Sequence, residues 1–157
     1  MKKINGPHKA YFFGNMYISQ IAHGIQAAHT LTEMFVKYKD GIENKILFDW
    51  AENDKVMILF NGGYQSNLYK IHSIFEVVGD KLRLPFAKFH EEEDALNCAL
   101  TSVGIIVPET YRDSSKTSYD SAKPTIDQLL AKTKKAKISE WECTEILRAV
   151  LDGGRLV

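Results

Sequence analysis

Cysteine is scarce in this chain: Cys98 and Cys143 are the only two among 157 residues. Neither their number nor their spacing suits a disulfide framework or a zinc site, so both thiols read as buried or idle. Net charge is absent as well. Twenty Lys and Arg balance twenty Asp and Glu, so no whole-molecule field draws in nucleic acid, and any RNA contact has to come from a local patch. No apolar run approaches the roughly 20 residues of a membrane span. The opening residues, MKKINGPHKAYFF, lack a signal-peptide apolar region with a small-residue cleavage site. A cytoplasmic protein without membrane contact is the expectation. Repeats and low-complexity tracts are missing too. What remains is an ordinary globular composition, 45% hydrophobic and 25% charged, long enough to bury a core without metal or disulfide support.

The chain is organised around residues 10–38. Residues 10–18 are aromatic and apolar on both parities, which predicts a strand covered on both faces. Ser19 stands where an N-cap belongs, and Asp40-Gly41 marks a helix end. Between them Ile21, Ile25, Ala28, Leu31, Phe35 and Tyr38 recur at helical spacing and predict the buried face. Gln26, His29 and Glu33 follow at i, i+3 and i+7 along one adjacent line, so Glu33 can reach His29 from the next turn. A carboxylate beside an imidazole favours its charged form and fixes its tautomer, which prepares a histidine for proton transfer. An ordinary helical ion pair would show the same spacing.

Further along, residues 43–53 carry Ile46, Leu47 and Trp50 at helical spacing. Residues 55–60 predict a buried strand, turned by Asn61-Gly62-Gly63. Ser66 is a candidate cap for a helix through Leu68, Ile71, Phe75 and Val78, with Gly79-Asp80 as its stop. Two more strands follow. A right-handed crossover then sets the first two strands parallel, with helices on the faces. The expected fold is α/β: a small mixed, mainly four-stranded sheet covered by helices, with a C-terminal helical hairpin. Ligands of open α/β sheets collect beyond the carboxyl ends of parallel strands, which makes Asn61 and Gly62 candidate binding residues. A plain tight turn explains the glycines equally well.

Taken together, Gln26-Ala27-Ala28-His29, Trp50 ahead of residues 55–60, the stretch 84–91 ending Lys88-Phe89-His90-Glu91, and the run 100–108 resemble, in that order, the type 2 peptidyl-tRNA hydrolases. The likeness covers about residues 10–110. It implies an α/β domain that cleaves the ester joining a peptide to tRNA, without metal or cofactor, because the ester is already activated. It implies catalytic roles for His29 and Glu91, and substrate binding by Gln26. Glu91 stands where the family has aspartate, and the family's following Ala-Gly-x-Thr is absent. The family's lysine four residues before the glutamine is Ala22 here, with Gln20 and His23 nearby; Gln20 joins the candidate binding residues. The run Glu91 to Asp94 reads equally as an exposed acidic turn, and His90 is a rival polar group.

Residues 1–110 thus form the expected main domain and 111–123 a polar linker. Residues 124–157 form a helical hairpin that opens at Pro124 and continues from the capping box Ser139-Glu140-Trp141-Glu142. It docks on the sheet domain or on a second copy of the chain, making a homodimer. Lys132, Lys134, Lys135 and Lys137 form a basic cluster, which suits either phosphate contact or a solvated helix end. The alternative to hydrolysis is a non-catalytic nucleotide-, RNA- or protein-binding module on the same fold.

Overall fold

The computed structural model describes residues 7–92, 98–112 and 123–157. Glu93 and Asp94 of the acidic run, and 113–122 of the expected linker, lie outside the described residues. In chain order the elements are β1 (His8–Gly14), α1 (Gln20–Lys37), α2 (Gly41–Asp49), β2 (Val56–Asn61) and α3 (Gln65–Leu82). They continue with β3 (Phe86–His90), β4 (Leu100–Pro108), α4 (Ile126–Thr133), α5 (Glu140–Asp152) and β5 (Arg155–Leu156). The strands form one sheet in the order β3-β4-β1-β2-β5. β1 and β2 run parallel, and the other neighbours pair antiparallel. The α/β class and the parallel first pair match the expectation. The short β5, against Phe60 and Asn61, is an addition that no run of β-branched residues announces.

The two parities of β1 explain why its sequence is apolar throughout. A Cβ on Gly14 would meet His23, and Phe12 lies beside Gly104 and Met34, so Gly14 and Phe12 face α1. Phe13 packs against Phe60 and Phe75 on the other face, where α3 lies. Each face buries an aromatic, so the strand has no solvent side to be polar on.

α1 is rolled about its axis relative to the expected face. His23, Gln26, Ala27, Thr30 and Met34 are buried, whereas Ile21 and Ile25 are 80% and 52% exposed and Ala28 is exposed too. The cause lies in the sheet. Gly14 and Gly104 leave hollows that His23 and Met34 fill, and Gln26 and Thr30 find protein partners rather than water. Thr30, for instance, donates to the Gln26 carbonyl at 3.0 Å. Leu31 and Phe35 stay half-buried, with Phe35 edge-on to Phe48 of α2.

α2 runs on into a π-helical turn, Trp50–Asp54, closed by Lys55 in the left-handed region at φ 53°. The Trp50 indole N–H donates to Val56 O at 2.9 Å, fastening this turn to the start of β2. α3 does not stop at Gly79. It continues to Leu82 because a Cβ at residue 79 would strike Phe86, so the glycine admits β3 against the helix rather than ending it. The stop is Arg83, left-handed at φ 57°. At its other end the N-cap position is Tyr64, not Ser66.

The hairpin packs on α3 of its own chain. Leu129, Cys143, Ile146, Leu147 and Val150 belong to the same buried cluster as Phe12, Phe75 and Ile105, so residues 124–157 complete the core of the sheet domain. Both helices begin with capping boxes, Thr125 with Gln128 and Ser139 with Glu142. The first therefore starts two residues past Pro124. Arg112 reaches Asp152 at 2.8 Å and Arg148 donates to Tyr111 O at 2.8 Å, tying the end of β4 to α5. No helix among the described residues is long and apolar enough to cross a membrane.

Candidate functional site

The site begins with an irregularity in the sheet. β3 pairs Phe89 with Ser102 and then His90 with Leu100, so Thr101 is an extra residue on β4. Such a bulge breaks strict alternation and re-aims a side chain. The Thr101 hydroxyl lies 2.8 Å from Gln26 Oε1 and 3.4 Å from Phe89 O. Gln26 in turn donates through Nε2 to Glu91 Oε2 at 2.8 Å. An ionised carboxylate can only accept, so the amide must present its NH2 to Glu91 and its oxygen to Thr101. The Thr101 hydrogen is thereby committed to Gln26, which fixes the amide so that its NH2 faces Glu91.

Glu91 Oε1 also accepts from Glu92 N at 3.2 Å. The Gln26 amide first, then that backbone N–H and the nearby His29 imidazole, hold the Glu91 carboxyl below the usual glutamate range. It is therefore a carboxylate at neutral pH. His29 is exposed and lies flat on Phe89, with ring centroids 4.6 Å apart and planes 14° from parallel. The stack fixes the ring plane, and no hydrogen bond from the described residues occupies either ring nitrogen. Glu33 is exposed and makes no hydrogen bond or ion pair with His29, so the carboxylate beside the imidazole is Glu91 rather than Glu33.

A cleft of about 480 Å3 opens beyond the carboxyl ends of β1 and β2, lined in part by Asn15, Tyr17, Tyr64, Gln65 and Thr101. Its floor is pinned. Asn15 N donates to Thr101 O at 2.9 Å, Asn15 Nδ2 to Leu100 O at 3.2 Å, and Leu100 N to Gln65 Oε1 at 2.9 Å. Tyr17 and Tyr64 form a tilted pair at the rim, 5.6 Å between centroids. With Ile18, which also lines the cleft, they make its wall largely apolar. Thr101 is common to the cleft lining and the polar chain.

Of the candidate residues, Gln26, Glu91 and His29 come together. Gln20 is exposed in the first turn of α1 and joins none of these bonds. Asn61 and Gly62 build the turn after β2. Asn61 Oδ1 accepts from Gly63 N at 2.9 Å, and Gly62 N donates to Gly14 O at 2.7 Å. Both amides are spent within the protein, and a Cβ at residue 62 would strike Leu68. His90 turns to the opposite face, where its Nε2 lies 3.0 Å from the Tyr69 hydroxyl; burial, with Lys88 nearby, lowers its pKa.

Thr101, Phe89 and Asn15 are the residues that the sequence reading passed over. A usable signal existed for Thr101: Thr101-Ser102 is a hydroxyl pair at the head of an otherwise apolar run, and a buried hydroxyl needs a partner. The bulge that turns it toward α1 leaves no such mark. No protein-family model and no curated protein matches the chain.

Proposed function

We propose that the chain is a hydrolase cleaving the ester between a peptide and the 3′ end of tRNA, the activity that its resemblance to the type 2 peptidyl-tRNA hydrolases implies. The observation that carries this reading is the chain of bonds from Thr101 through Gln26 to Glu91, ending beside an exposed imidazole whose nitrogens are open. His29 accepts the proton as water attacks the acyl carbon, and returns it to the ribose oxygen as the acyl–oxygen bond breaks. Glu91, ionised, steadies the charged imidazole and orients the water. Thr101 holds Gln26 in place from below, and the apolar rim receives the neighbouring part of the substrate. The cytoplasm is where such a substrate is met.

Ala22 favours a second reading. It is partly buried and stands where the family has a lysine, so no ammonium at that position stabilises developing negative charge. A non-catalytic module that binds RNA ends on the same surface needs none. Purified protein assayed for release of peptide from peptidyl-tRNA separates the two. Turnover that His29→Ala abolishes while binding persists supports the hydrolase, and binding without turnover at high protein concentration rejects it.

A further inference from the structure

The chain has two tryptophans in opposite environments: Trp50 is 5% exposed, Trp141 72%. Tryptophan normally loses most of its surface to a core, and an indole left open beside a concavity marks a contact surface. Trp141 lines a cleft of about 660 Å3 where the end of α4 meets the first turns of α5, together with Lys132, Lys134, Lys135 and Glu142. A volume of that order suits a small ligand or one segment of a larger one. Lys135 is neutralised by Glu142 at 3.0 Å. Glu145, also on the wall, lies 3.0 Å from Arg148. Lys132 and Lys134 have no ion pair or hydrogen bond through their ammonium groups among the described residues. Two uncompensated cations therefore flank an open aromatic face. Position at the C-terminal end of α4 accounts for the lysines through the helix dipole, but not for the indole.

We propose that this cleft binds single-stranded RNA, with a base stacked on Trp141 and adjoining phosphates on Lys132 and Lys134. The combination of a π-face with a cationic flank is what a single strand requires, since every base has a face to stack and every linkage a charge to neutralise. An acidic peptide would satisfy the ammonium groups and leave the indole unmatched. The cleft lies on the hairpin that covers α3, away from the α1 face that carries Glu91 and His29. It stands independently of the hydrolytic reading, and RNA bearing no acyl ester tests it.

The experiment uses the full chain and a fluorescently labelled uridine oligomer of about a dozen nucleotides. Anisotropy is expected to rise to saturation, and Trp141→Ala to weaken binding by about tenfold or more. Affinity should fall with salt at a log–log slope near −1.4 for two phosphates, flattening in the Lys132→Ala/Lys134→Ala double variant. All three positions are exposed, and circular dichroism confirms that the variants fold. Trp50→Phe leaves Trp141 as the sole tryptophan, and its fluorescence, excited selectively over the tyrosines, should be quenched as the oligomer binds. No rise in anisotropy at low salt, or an unchanged affinity in Trp141→Ala, overturns the proposal. Polyglutamate quenching Trp141 as effectively as the oligomer also overturns it, and reassigns the cleft to acidic peptides.

Discussion

Gln26 and Glu91 are 65 positions apart in the chain and 2.8 Å apart in space, amide nitrogen to carboxylate oxygen. Gln26 is the largest influence holding the Glu91 carboxyl below its ordinary range, and the effect has a sign that can be checked. A depressed carboxyl stays ionised as pH falls past the normal glutamate value, and its interactions are lost only as pH passes through the lowered value. Followed by carboxyl-carbon NMR, Glu91 should titrate below ordinary glutamates, and Gln26→Leu should move it back upward. A titration indifferent to residue 26 contradicts the bond.

Thr101 is 1% exposed, and its hydroxyl is the partner of the buried Gln26 oxygen. Thr101→Val keeps the shape and removes that partner, so an amide oxygen is left without its bond. The expected loss is about 1–3 kcal/mol, read from the urea midpoint at unchanged slope. A midpoint equal to the parent's argues that water substitutes for the hydroxyl.

His29 contributes little burial, so His29→Ala should fold with near-parental stability. If the imidazole is the general base, single-turnover release of peptide from peptidyl-tRNA falls by about 10²–10⁴-fold. Phe89→Leu removes the ring on which the imidazole lies. It should lower turnover more than it lowers tRNA affinity.

His72 supplies a pH test of the α3 side. Burial first, and Lys88 second, push its pKa from 6.5 down to about 4, while Glu76 at 3.2 Å opposes the shift. The unfolded chain takes up this proton as pH falls below 6.5, and the folded chain resists until about 4. Stability therefore declines through that window by about 1–2 kcal/mol from this group, allowing for solvent near Glu76. His23, also lowered by burial, adds to the trend. Urea midpoints at pH 7.5 and 5 should differ less in His72→Leu than in the parent.

Gly14→Ala probes the close approach of α1 to β1. The added methyl would collide with the His23 ring at Nδ1, forcing a buried ring to move in a close-packed setting. A loss of about 1–3 kcal/mol or more is expected in urea or thermal unfolding. Gly24→Ala, where a Cβ meets nothing within 4 Å, is the control; as a mid-helix change it should hold or raise stability.

The alternation of strands and helices was legible because each element has a period or a cap of its own, as Ser139 and Glu142 show. The roll of α1 was not. Its true buried face holds His23, Gln26 and Thr30, and a hydrophobicity argument ranks Ile21 and Ile25 above all three. Only the glycines opposite, contributed by two other strands, make the polar face the better fit. The same holds for the site. Gln26 and His29 share a helix and can be paired by spacing, whereas Thr101 enters through a break in strand alternation that depends on how β3 meets β4. Gly79 misleads for a related reason: a helix stop and a packing notch look alike in one dimension.

The unpaired residue at Thr101 belongs to a ladder whose outer member, β3, has no neighbour on its far side among the described residues. Slipping that outermost strand by one position would swing Phe89 away from His29 and carry Glu91 out of reach of Gln26 in a single movement. Whatever binds along that rim, or pulls on it, therefore acts on the hydroxyl, the amide, the carboxylate and the imidazole together.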